Sequence, residues 1–239
     1  MTALLLSNSL GTSREMWDGA LPLLAERTRV LRYDHRGHGG APAPPGPYSI
    51  ADLAQDALEV LDGADVERVN FCGVSLGGMV GMWLAINAPQ HIDRLVLCCT
   101  SARLGPPEMW AQRAATVRAE GVEAIADAAI GRWLTPGFIE REPGVAAEVR
   151  AMLVATPAEG YAGCCGAIEH MDLVPELGAI RAPTLVIAGA QDPATPPEHG
   201  ERIVAGVPGA HLELVDAAHL ATIEQPAAMT KLIAGHLLT

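Results

Sequence analysis

Gly73-Val74-Ser75-Leu76-Gly77 decides how this chain is read. A short apolar run from Arg68 to Cys72 leads into it, and Gly78 to Asn87 (GMVGMWLAIN) leads out, apolar at nearly every turn and closed by Ala88-Pro89. That is the pattern of a strand, a sharp turn and a helix. A side chain at the tip of such a turn is forced out above the end of the sheet, and glycines flank it because the backbone there is strained and crowded. Ser75 is that side chain, and the helix behind it points its positive end at any anion forming beside the hydroxyl. G-x-S-x-G alone would also suit a small-residue turn for close strand–helix packing. The strand before it and the helix after it make it a nucleophile elbow.

On the N-terminal side, Thr2–Leu6 reads as a short strand, followed by the small polar loop Ser7 to Thr12 and a helical face from Met16-Trp17 through Leu21, Leu23 and Leu24. Val30–Tyr33 is a second strand. Asp34-His35-Arg36-Gly37-His38-Gly39 turns away from it into a proline-rich loop, Ala41 to Pro47. Ser49 is a plausible N-cap for a helix striped by Leu53, Ala57, Val60 and Leu61. Beyond the elbow, Leu95–Cys99 is a fourth strand. Such continuous apolar runs, alternating with helices, imply a parallel sheet buried on both faces.

After Thr100 the rhythm changes. From about Pro106 to His170 the sequence offers only helix-like stretches, Met109–Glu120, Val122–Leu134 and Val145–Leu153 among them, broken at Thr135-Pro136-Gly137 and Thr156-Pro157. The α/β alternation resumes with Thr184–Ala188, a helix around Glu198–Val207, the strand His211–Val215 and a last helix from Pro226 to Leu238. The expected organisation is an α/β core, residues 1–103 and 171–239, with a helical lid, residues 104–170, inserted over the C-terminal edge of the sheet.

Composition bounds the rest. A chain of 239 residues, 49% hydrophobic and 18% charged, is globular and long enough for one domain with a small insertion. The net charge of −12 argues against nucleic acid or an anionic membrane as the main partner. No apolar run reaches membrane-spanning length and no signal peptide is evident. The five cysteines (Cys72, Cys98, Cys99, Cys164 and Cys165) include two adjacent pairs and no CxxC spacing, so reduced thiols in a cytoplasmic protein are expected.

A serine hydroxyl is a poor nucleophile at neutral pH. It needs a base to take its proton and an acid to orient that base. On an elbow-type sheet these come from loops after later strands, in the order serine, acid, histidine. After the strand ending at Ala188 comes Asp192, and after the strand ending near Val215 comes His219. Parallel strands all end on one edge, so both candidates share the edge of Ser75. Asp216 competes as the acid, but its closeness to His219 in the chain points it elsewhere. His35 and His38 beside Asp34 suggest a metal pair without an evident third ligand, and loop-holding is the better reading. His199 and His211 read as structural or solvated, and His91, His170 and His236 have no acid placed to orient them.

With these residues in view, the chain resembles the α/β-hydrolase family and, more narrowly, its 3-oxoadipate enol-lactonases. The broad marks are Asp34-x-Arg36-Gly37-His38-Gly39, the elbow at Ser75, Gly189-x-x-Asp192 and His219. The narrower ones run from Ser7-Asn8-Ser9-Leu10-Gly11-Thr12 through Pro44-Pro45-Gly46-Pro47-Tyr48, Cys72-Gly73-x-Ser75, Gly105 to Trp110 and Glu159 to Cys165 to Asp192–Gly200, and so include the lid.

The resemblance implies that Ser75, deprotonated by His219, attacks the carbonyl of 3-oxoadipate enol-lactone. The backbone N–H groups of Leu10 and Leu76 would hold the oxyanion, and no metal or organic cofactor would be required. A small anionic lactone approaching a protein of charge −12 calls for a local cation. Arg132 beside Trp133, in the lid, is the expected pair, with Arg103 after the fourth strand as another candidate. The other reading of these arginines is a solvated helix face, with Trp133 anchoring the lid. Oligomeric state is not legible.

The resemblance also implies a two-strand hairpin ahead of Thr2–Leu6 that this sequence lacks, which would leave Val30–Tyr33 as a sheet edge. Two alternatives keep the fold. One is a carboxylesterase or C–C hydrolase with a different lid. The other is a ligand-binding member without catalysis, which would be expected to lose one of the three residues.

Overall fold

The computed structural model describes residues 2–237, so Leu238, the expected last residue of the final helix, lies outside them. In chain order the elements are β1 (Ala3–Ser7), α1 (Leu21–Ala25), β2 (Val30–Arg32), α2 (Ile50–Gly63), β3 (Val69–Val74), α3 (Leu76–Asn87) and β4 (Ile92–Cys98). Five helices follow: α4 (Pro107–Glu120), α5 (Glu123–Trp133), α6 (Pro136–Arg141), α7 (Pro143–Val154) and α8 (Ala158–Glu169). Then come β5 (Thr184–Gly189), α9 (Pro197–Gly206), β6 (His211–Val215), α10 (Ala221–Glu224) and α11 (Pro226–Leu237). The expected strands all appear, shifted by up to three residues at their ends.

The six strands form one parallel sheet in the order β2-β1-β3-β4-β5-β6. Its central strands are buried on both faces, every residue of β1, β3 and β5 included, as their unbroken apolar runs require. The outermost strand β2 is only half-buried and pairs on one side, with β1. Register aligns the C-terminal ends: Ser7 lies beside Gly73, Val74 beside Cys98, and Gly189 beside Val215. The loops after β1, β3, β4, β5 and β6 therefore open on one edge. Between β1 and β3 the chain order reverses, which leaves a crevice there.

Local chemistry explains the helices around this edge. α2 starts at Ser49, whose hydroxyl accepts from Asp52 N–H while the Asp52 carboxylate accepts from Ser49 N–H, a reciprocal cap that satisfies two otherwise unpaired donors. Its buried stripe is Leu53, Ala54, Ala57 and Leu61, with Val60 half-buried at the margin. α3 is buried nearly all round, as a central helix beneath an insertion must be.

Between β4 and β5 there are helices only, as the broken rhythm predicts. Two of them, α6 and α8, had no stripe to announce them. In α8, residues 160–168 are all buried, so no polar face marks its period. Its glycines let it lie directly on the core loops. A Cβ on Gly160 would collide with the backbone of Gly37, one on Gly163 would reach within 2.5 Å of the Tyr48 ring, and one on Gly166 within 2.7 Å of Pro47.

Candidate active site

Ser75 occupies the turn between β3 and α3 with φ 53° and ψ −111°, a conformation that costs a non-glycine residue of order 1–3 kcal/mol. The surroundings hold it there. Ser75 N–H donates to the Cys98 carbonyl at 2.9 Å, and its own carbonyl accepts from Thr100 Oγ1 at 2.6 Å and Met79 N–H at 3.0 Å. Both flanking glycines are required for space. A Cβ on Gly73 would strike the Gly77 carbonyl, and one on Gly77 would strike the Ser7 carbonyl.

His219 and Asp192 approach from the loops after β6 and β5. Asp192 Oδ2 accepts from His219 Nδ1 at 2.8 Å and from Thr195 Oγ1 at 2.7 Å. Its Oδ1 accepts from the backbone N–H of Ala194 at 2.7 Å and of Thr195 at 3.0 Å. Burial works to raise the Asp192 pKa. The His219 charge and these hydrogen bonds outweigh it and hold the carboxyl below its ordinary value. With Nδ1 bonded to the carboxylate, the His219 Nε2 is the ring nitrogen left for other chemistry. Ser75 and His219 line one cavity, and no hydrogen bond joins their side chains among the described residues. Asp216 faces away: it accepts from Gln191 Nε2 at 2.7 Å on the surface.

The loop after β1 crosses the crevice beside Ser75. Asn8 anchors it with every polar atom of its side chain. Asn8 Nδ2 donates to the Tyr33 carbonyl at 2.8 Å, and Asn8 Oδ1 accepts from Trp17 Nε1 at 3.0 Å. Its carbonyl accepts from Gly77 N–H at 2.9 Å and from His35 Nε2 at 3.0 Å. Gly11, at φ +75°, donates its N–H to His38 Nε2 at 2.9 Å. His35 and His38 thus hold this loop. Burial depresses both to a pKa of about 4, so both imidazoles are neutral at pH 7. The Leu10 N–H donates to no described residue, and Leu76 is the first residue of α3, where an N–H has no partner within the helix.

The cavity, of about 190 Å³, is roofed by the inserted helices. Arg132 and Trp133 at the end of α5 line it, as do Trp110 and Arg113 of α4 and Tyr161 of α8. Sequence reading missed the last three. The three-residue spacing of Trp110 and Arg113 puts them on one helix face, where the Arg113 guanidinium lies 4.7 Å from the Trp110 ring centroid. Burial lowers the Arg132 pKa and the neighbouring charge of Arg113 adds to it. Neither arginine is paired with a carboxylate among the described residues, and the Tyr161 hydroxyl is the polar group beside both. Arg103 is a correction: it turns to the surface, 3.4 Å from Asp172, and does not line the cavity. Thr195 was also missed, although its position three residues after Asp192 suits a side chain that closes a local turn.

A family profile described as alpha/beta hydrolase fold matches residues 2–226. The chain is 41% identical over 226 residues to 3-oxoadipate enol-lactonase 2 of Acinetobacter baylyi, covering 95% of this chain and 85% of that protein. The crystal structure of the enol-lactonase from Burkholderia xenovorans is 44% identical and superposes with a TM-score of 0.98 over 100% of this chain and 92% of that one. A hydrolase from Pseudomonas aeruginosa is 48% identical, with a TM-score of 0.96 over 100% of this chain and 90% of that one.

Proposed function

The chain belongs to the α/β-hydrolase family, and within it we propose that it opens 3-oxoadipate enol-lactone to 3-oxoadipate through an acyl-enzyme on Ser75. The observation that carries this reading is the make-up of one cavity, with Ser75 and His219 supplied by the sheet loops and Arg113 and Arg132 by the helices between β4 and β5. A nucleophile shares its cavity with two cations that lack a carboxylate partner among the described residues. That suits a small ester bearing its own negative charge.

His219 Nε2 takes the Ser75 proton as Oγ attacks the lactone carbonyl, and Asp192 stabilises the imidazolium that forms. The N–H groups of Leu76 and Leu10 receive the oxyanion, aided by the positive end of α3. The ring oxygen leaves as an enolate, more readily than an alkoxide would, and takes up the proton held by His219, which returns the imidazole to its neutral form. His219 then deprotonates water to release the second carboxylate. In this reading residues 104–170 act as a lid on a core of residues 1–103 and 171–239. Arg132 and Trp133 fix the substrate acetate arm, with Arg113 beside them.

The test is the loss of enol-lactone absorbance on mixing with the purified protein, beside Ser75→Ala. Turnover by the parent and none by the variant is expected. A folded parent that leaves the lactone untouched but cleaves neutral esters would replace this substrate with another.

A further inference from the structure

Glu224 is a buried carboxylate on the four-residue helix α10, 8% exposed and five residues beyond His219. Its Oε1 accepts from the backbone N–H of Ala218, the residue before His219, at 2.8 Å. The same oxygen accepts from Thr135 N–H at 3.2 Å, and Oε2 accepts from Thr135 Oγ1 at 2.6 Å. Thr135 lies just past the end of α5, the helix that carries Arg132 and Trp133 into the cavity. On the other side of His219, Leu220 N–H donates to the Trp133 carbonyl at 2.9 Å. The backbone on both sides of His219 is therefore tied to residues 133–135 of the inserted helices, and one carboxylate makes three of the four ties.

From this arrangement we infer that Glu224 is a positioning residue that locks the His219 loop and the Arg132–Trp133 end of α5 into one rigid unit, so that base and anion-binding group keep a fixed separation across the cavity. The inference rests on the proposed roles of Ser75 and His219. It extends them in one respect: the lid cannot swing away at α5 without carrying His219 with it. Substrate must then enter elsewhere, past Met109 and Leu104, which line the same cavity near the start of α4. The bonds Glu224 accepts come from three donors, two of them backbone N–H groups that cannot turn to other partners. Removing the carboxylate leaves them buried and unpaired. Glutamine can meet the same donors with its oxygen and donate its amide to the Thr135 hydroxyl, so shape and not charge is the requirement.

The experiment measures labelling of Ser75 by a fluorophosphonate probe, enol-lactone turnover, and thermal unfolding for Glu224→Ala, Glu224→Gln and Thr135→Val. Glu224→Ala is expected to slow labelling by about tenfold or more in folded protein, since a small misplacement of a base is costly. Glu224→Gln should recover most of that loss. Thr135→Val, which removes the hydroxyl tie to Glu224 together with the cap that the same hydroxyl gives Phe138 N–H at the start of α6, should raise KM for the anionic lactone more than it lowers kcat. Labelling at the parental rate in folded Glu224→Ala would reduce Glu224 to a structural residue and overturn the inference. So would a Glu224→Gln variant as slow as the alanine, or a Thr135→Val variant with parental KM and kcat. A parent that labels but ignores the lactone would sink the substrate assignment alone. A parent that does not label would sink both.

Discussion

The two sides of the cavity are built on opposite terms. On the sheet side, every charge is met: Asp192 receives four hydrogen bonds, and His35 and His38 are neutral and bonded to the loop they hold. On the helical side, Arg132 is held at a cost, its charged form disfavoured by burial and by Arg113. One side is complete as it stands. The other is unfinished without an anion. Under the proposed function, the bond-making groups are rigid and the charge imbalance lies where the anionic substrate would correct it.

That contrast can be broken at either side, and the sheet side should suffer more. Asp192→Asn should lower kcat by roughly 10³–10⁴-fold, because the amide cannot favour the required His219 tautomer, with little change in KM; steady-state kinetics on the enol-lactone checks it. A comparable fall in KM-limited binding alone would mean the carboxylate serves the substrate and not the base.

Stability against pH should expose the neutral histidines next. Both have folded pKa values of about 4 against an ordinary 6.5. The unfolded chain therefore binds more protons between those values. Their contribution is complete above pH 6.5 and is lost as pH falls toward 4, at about 3 kcal/mol for each histidine. Urea midpoints at pH 4 to 7 should fall steeply for the parent and less steeply for His38→Gln. Parallel curves would remove His38 from the account.

On the helical side, Arg132→Met should raise KM for the anionic lactone by about 10–100-fold, the worth of a charged hydrogen bond of about 1.5–3 kcal/mol. KM for a neutral aryl ester should hardly move, and equal losses on both substrates would make Arg132 a packing residue. Thr195→Val is the smallest change. It removes one of the four bonds to Asp192 and should cost about 1 kcal/mol of that support, a loss of several-fold in kcat read beside the parent.

The sheet side was the legible one. Strands buried on both faces leave apolar runs that need no partner to be recognised, and parallel connectivity sends the residues after them to one edge. Ser75, Asp192 and His219 could thus be brought together by position alone. The helical side resists that logic. Trp110, Arg113 and Tyr161 face the cavity because of how α4, α5 and α8 pack on one another, and helix packing is not written in any local spacing. Arg132 beside Trp133 was the expected cation and Arg103 a second candidate, and no local spacing showed that Arg103 would turn to Asp172 at the surface. Glu224 left no mark at all: a four-residue helix has no period to read.

The glycines of α8 carry a consequence for anyone who would retarget such an enzyme by exchanging its insertion. Where Gly160 rests on Gly37, two main chains touch with no side chain to adjust between them, so the fit tolerates no approximation. A graft cut at residue 170 would have to recreate that contact in foreign sequence. A graft cut at the Thr156-Pro157 break would leave α8 with the host and exchange only α4 to α7, together with Arg113, Arg132 and the preference proposed for them. The seam that matters for transplantation lies inside the insertion, one helix short of its end.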